Sequence, residues 1–202
     1  LCMMIASTIS AGVVTDPGAD EWTLMMRHKT PFHNDGGWFT PGVARYNVDD
    51  ESAGVYSIVD SVEDFRRDDG YLYFKLSYPG MCSIKGNPPC LEGKNYNIWK
   101  QTSNPYTKLR EKDDSVQGYA PIDVIYDHVF AGLTTCGSNN ALFDGHQQSA
   151  SWWYSVGAST PFRFANHFPA MRGNASLGDP QLVANHMELS VWGRPKFPRA
   201  SP

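Results

Sequence analysis

Over Asn95-Tyr96-Asn97-Ile98-Trp99-Lys100-Gln101-Thr102-Ser103-Asn104-Pro105 the chain interleaves side-chain amides, hydroxyls and large aromatics, and a proline closes the run. Rings offer flat apolar faces, and amides both donate and accept hydrogen bonds, so this mixture suits a neutral polyhydroxylated ligand such as a sugar. The candidate ligand-binding residues are Asn95, Tyr96, Asn97, Trp99, Gln101 and Asn104. The competing reading is a strand whose Asn and Gln side chains tie down a long loop. Trp152-Trp153-Tyr154 is the second aromatic cluster. In a strand successive side chains face opposite sides, so Trp152 and Tyr154 share a face and join the ligand-binding candidates, while Trp153 points the other way.

Other chemistries find less support. The six histidines His28, His33, His128, His146, His167 and His186 form no metalloprotease motif, and the chain has no nucleophile elbow, phosphate-cradling glycine loop or Cys-x-x-Cys pair. Glycoside hydrolysis requires only two carboxylates a few ångströms apart, for which Asp123, Asp127 and Asp144 are the acids to check. Each also fits a strand-end or turn aspartate bonded to its own backbone. The oxygen-rich runs at Asn34-Asp35-Gly36-Gly37 and Asp49-Asp50-Glu51 could hold calcium through Asp35, Asp49 and Asp50, and both also read as ordinary turns. No other cofactor is expected.

The elements that position these residues are short. Aromatics are 13% of the 202 residues, with 18 glycines and 14 prolines, a composition of turns and rings that points to a mostly β domain over 20–193. Long loops between irregularly spaced strands predict a jelly-roll-like, two-sheet β-sandwich. Strands are expected at Glu21–His28, Tyr71–Tyr78, Gly118–Tyr126, Ser151–Ala158 and His186–Trp192, the first and last as neighbours. One amphipathic helix is expected over 55–67, where Val55, Ile58, Val59, Val62 and Phe65 recur at helical spacing and Gly70 supplies the C-terminal cap. Residues 108–114 read as a solvated charged loop, and 194–202 as a proline-rich tail.

A net charge of −4, from 21 acidic and 17 basic residues, gives no basic field for a phosphate backbone, so nucleic acid is not an expected partner. Residues 1–12 form an apolar run ending in small residues, like the later part of a secretory signal; it is too short to span a membrane, and a first β-strand is the competing reading. Asn174-Ala175-Ser176 is an N-glycosylation acceptor. Cys82 and Cys90 bracket a segment built to turn, and a disulfide between them is the economical assignment. Cys136 then stands alone or pairs with Cys2, according to whether residues 1–12 remain. These features together predict a secreted, extracellular glycoprotein.

Several stretches together also resemble a known pattern. Asn95 to Pro105, Val116-Gln117-Gly118-Tyr119-Ala120-Pro121-Ile122, Phe130-Ala131-Gly132-Leu133, Trp152 to Ala158 and Met187-Glu188-Leu189-Ser190-Val191, with Val55 to Asp60 and Glu63 to Arg66 upstream, resemble a secreted module of marine invertebrates and algae. That module is an uncharacterised extracellular domain, often found beside lectin-like or matrix domains. The resemblance covers about Glu21 to Val191, implies no catalytic residues, and leaves the Cys82–Cys90 loop as a local insertion. The combined expectation is a module that binds a glycan or a matrix component. A purely structural matrix domain and a carbohydrate-active hydrolase or lyase are the alternatives.

Overall fold

Alternation of apolar and polar side chains organises the longest strands. In the computed structural model, which describes residues 21–29, 45–79, 95–107, 116–124, 130–135, 143–146, 156, 170–172, 181–183 and 186–196, the protein is mostly β with one short helix. Eleven strands are described: β1 (Trp22–Lys29), β2 (Arg45–Tyr46), β3 (Val55–Ile58), β4 (Leu72–Ser77), β5 (Tyr96–Gln101), β6 (Ala120–Asp123), β7 (Phe130–Thr135), β8 (Phe143–His146), β9 (Ala170–Arg172), β10 (Gln181–Val183) and β11 (His186–Trp192). Seven of them form one antiparallel sheet in the order β2-β3-β1-β11-β4-β5-β6. The expected pairing of the first and last strands is present, running from Trp22↔Trp192 to Lys29↔His186 with a register shift between Leu24 and Met26. This brings β11 beside β4, so the sheet's centre is built from residues distant in sequence.

One face of this sheet is the core. Registered neighbours Val191, Phe74 and Trp99 form one buried row, and Met26, Leu189, Leu76 and Asn97 form the next. Phe130, Leu133 and Phe143 of the β7–β8 ribbon, with Val156 bridged to Phe143, cover part of it. Among the described residues this second layer is a two-stranded ribbon.

The helical expectation over 55–67 is corrected in extent and type. Val55–Ile58 pairs with β1 as a strand, and only Val59–Phe65 is helical, in a 3-10 turn. The β-branched Val55, Ile58, Val59 and Val62 lose side-chain freedom in a helix and pack well in a sheet. Pairing with β1 therefore captures the first turn's worth of sequence. The expected dry face survives, with Ile58, Val59, Val62 and Phe65 all buried. Gly70, at φ +84°, turns the chain back toward β4, where Arg67 N donates to Tyr71 O at 2.9 Å. The tail docks at its start, with Lys196 N donating to Asp64 O at 2.9 Å.

Candidate functional site

The Asn95–Pro105 segment divides between the two faces of the sheet, because β5 alternates. Trp99, Asn97 and Gln101 point into the core and are fully buried, so the expectation that they meet a ligand is corrected. Trp99 stacks on Phe74, with centroids 5.3 Å apart and planes at 21°, and meets the edge of Phe130 at 4.6 Å. Burying an indole in this way removes a large apolar area from water but leaves its N–H needing an acceptor.

Gln101 supplies that acceptor and joins two strands. Its Oε1 accepts from Trp99 Nε1 and from the Leu133 backbone N, both at 2.9 Å. Its Nε2 donates to Leu133 O at 2.9 Å and to Ser103 O at 2.8 Å. The side-chain amide thus imitates a strand backbone, pairing β5 with β7 across a gap that no ladder fills. The close approach requires Gly132: it sits at φ +86°, and a Cβ there would lie 2.6 Å from Gln101 Oε1.

The following loop is braced in the same manner. Thr102 N donates to Gln117 O at 2.8 Å, and Gln117 N to Ser103 Oγ at 3.0 Å. Asn104 accepts from Tyr106 N at 2.9 Å and donates to Glu63 Oε2 at 3.0 Å. Arg66 pairs with Glu63 and reaches Thr102 O and Gly70 O, each at 2.7 Å. The Arg66 hydrogen bond holds the Glu63 carboxyl below its ordinary value. Asn104 is therefore a buried strut rather than a ligand-facing amide, and Asn95 donates to Tyr78 O at 3.0 Å.

The opposite face of the sheet carries partly exposed aromatic and charged side chains around two buried ones, Tyr73 and Ile98. Its rows follow from register. Trp192 meets Tyr73 edge-on at 5.4 Å, and Lys100 is opposite Tyr73. Ser190, Lys75, Ile98 and Asp123 form the next row, and Arg27, Glu188, Ser77 and Tyr96 the third. Tyr71, Lys75, Tyr96, Lys100 and Trp192 are all partly exposed. Cations rest on the rings: Lys100 Nζ lies 4.1 Å from the Tyr71 centroid, Lys75 Nζ 5.1 Å from that of Tyr96, and Arg67 Cζ 4.4 Å from that of Trp192. Two carboxylates flank them, Asp69 accepting from Tyr73 Oη at 2.7 Å and Asp123 from Tyr96 Oη at 3.1 Å. Burial, assisted by the Asp69 hydrogen bond, pushes the Tyr73 phenol up to about 12. On the third row Glu188 bridges Arg27 at 2.8 Å and His186 at 3.1 Å.

No family model, curated protein or solved structure matches this chain.

Of the ligand-binding candidates drawn from sequence, Tyr96 alone lies on this face; Trp152 and Tyr154 fall outside the described residues. Tyr71, Tyr73, Lys75, Lys100 and Trp192 were missed. The signal for the first three was present, since Tyr71, Tyr73 and Lys75 alternate with Leu72, Phe74 and Leu76. Trp192 could be added only by knowing that β11 lies beside β4.

At the second candidate calcium loop the local bonds are those of a turn. Asp50 Oδ1 accepts from Ser52 N at 3.0 Å and from Ser52 Oγ at 2.5 Å, bonds that lower its pKa, and Asn47 at φ 48° completes a turn with Asp50 N donating to Asn47 O at 2.9 Å. This is a self-satisfied turn, and among the described residues no three metal-ligating side chains gather, Asp49 included. Asp35, Cys82, Cys90, Asn174, Asp127 and residues 1–12 lie outside the described residues, as do the side chains of Asp144 and His146. No helix among the described residues is long and apolar enough to cross a membrane.

Proposed function

We propose that this protein binds a glycan, free or as part of an extracellular matrix, and that the outer face of β11, β4 and β5 is where it does so. The observation that carries the reading is the partly exposed set Lys75, Tyr96, Lys100 and Trp192 on three registered strands, with Tyr71 just before β4, flanked by Asp69 and Asp123. Rings beside fixed donors and acceptors on a rigid sheet match the alternating apolar and hydroxyl surfaces of a sugar. Secretion, glycosylation and kinship with the marine extracellular module belong to the same proposal, supported by the sequence patterns described above.

A glycan array probed with the purified chain tests it, with Tyr96→Ala as the companion. Tyr96 is partly exposed, so its truncation should leave the melting temperature near that of the parent while weakening binding by about tenfold or more. An array on which no glycan binds would reject the proposal.

A structural matrix domain is the second reading, and a specific observation favours it. The Gln101, Ser103, Asn104, Glu63 and Arg66 network gives most of the Asn95–Pro105 polar groups a bracing role. In that case the outer face binds nothing and the array stays blank.

A further inference from the structure

Lys75 and Lys100 are diagonal neighbours on the outer face: Lys75 is opposite Ile98, and Lys100 lies two residues further along β5. Diagonal cross-strand positions are about 7–8 Å apart. Of the cations around them, Arg27 holds Glu188 and Arg66 holds Glu63, while Arg67 rests on the Trp192 ring. Lys75 and Lys100 resemble Arg67. Among the described residues each rests only on tyrosine rings, Lys75 on Tyr96 and Lys100 on Tyr71 and Tyr73, and no carboxylate pairs with either.

A ring face attracts an ammonium group but accepts no conventional hydrogen bond from it, so each group keeps donors for an anion. The tyrosines limit how far the flexible lysine stems swing, which reduces the ordering cost when an anion arrives. The same capping leaves less ring surface for stacking on a neutral sugar. Charge is thus the more available recognition element on this face.

Resting on the glycan reading above, we infer that the ligand is an acidic polysaccharide whose anionic groups are held by Lys75 and Lys100. Asp69 and Asp123 flank the pair and are placed to accept hydrogen bonds from sugar hydroxyls, contacts that a deoxyribose–phosphate backbone, with no free hydroxyls along it, does not offer. The net charge of −4 opposes polyanions at long range, so attraction has to be local to this pair.

The test is titration of the full chain with four probes: dextran, dextran sulfate, carboxymethyl dextran and oligothymidylate of similar length. Dextran sulfate and carboxymethyl dextran should bind at least about tenfold more tightly than dextran, and their affinity should fall as salt rises. Lys75→Gln and Lys100→Gln keep most of each stem while removing the charge. Each should weaken binding of the acidic probes by about tenfold at an unchanged melting temperature. Acidic probes that bind both variants as tightly as the parent would overturn the inference, as would affinity insensitive to salt. Dextran bound as tightly as its acidic derivatives would overturn it while leaving the glycan reading intact. Oligothymidylate bound as tightly as dextran sulfate would also overturn it. If neither these probes nor any glycan of an array binds, both readings fail.

Discussion

Gln101→Ala removes a side chain that serves four buried backbone and side-chain groups at once. Truncation leaves Trp99 Nε1, Leu133 N, Leu133 O and Ser103 O without the partner each has at 2.8–2.9 Å. An unsatisfied buried polar group costs about 1–3 kcal/mol. Water entering the vacated space can restore some of these bonds, so the expected loss is about 4 kcal/mol rather than the sum of four full penalties. Domains of this kind are stable by about 5–15 kcal/mol, so the change removes a large fraction of the total. At roughly 2–4 °C per kcal/mol for a chain of this length, the melting temperature should fall by about 8–16 °C. Urea unfolding followed by tryptophan fluorescence measures it. A loss under about 1 kcal/mol would refute the reasoning, since it would mean that Gln101 is solvated and that β7 is held to β5 by something else.

Three further outcomes follow from the same packing. Gly132→Ala should destabilise by about 2–4 kcal/mol, because φ +86° and a contact at 2.6 Å with Gln101 Oε1 leave no room for a methyl group; a neutral thermal melt would contradict this. Trp99→Ala should lower stability by about 3–5 kcal/mol in chemical denaturation, and should alter glycan affinity only through unfolding. Burial lowers the His28 pKa to about 3, from an ordinary 6.5, so folding favours the neutral ring. The unfolded chain then takes up the proton first, and the contribution of His28 is fully present above pH 6.5 and is lost as pH falls from there toward 3. At about 1.4 kcal/mol per pH unit, the decline should be visible between pH 6.5 and 5, and His28→Leu should flatten it; an equally steep decline in the variant would rule His28 out as its source.

The parts of the fold carried by local pattern were legible from the chain. β1, β4 and β11 were anticipated from alternation and aromatic density, and the β1–β11 pairing from strand position. What failed was the arbitration between periods. Val55 to Phe65 fits a helical stripe, yet a partner strand claimed Val55–Ile58, and that competition is settled by tertiary contact rather than by spacing. The site failed for a related reason. An amide- and aromatic-rich strand looks wet when read linearly, but alternation sends Trp99 and Gln101 inward and Tyr96 and Lys100 outward. Residue types alone do not say which face is dry. That depended on Phe130 and Leu133, which arrive from some thirty residues downstream to cover one side.

Whether ligand meets the outer face or the core-facing side of β5 is visible in the tryptophan indole N–H signals of a nitrogen–proton correlation spectrum. Trp99 Nε1 is bonded to Gln101 inside the core, whereas Trp192 Nε1 is buried beneath its partly exposed ring, beside Tyr73 and Arg67, with no acceptor among the described residues. Adding dextran sulfate should shift the Trp192 signal and leave the Trp99 signal in place. A shift of Trp99 with Trp192 unmoved would contradict the account.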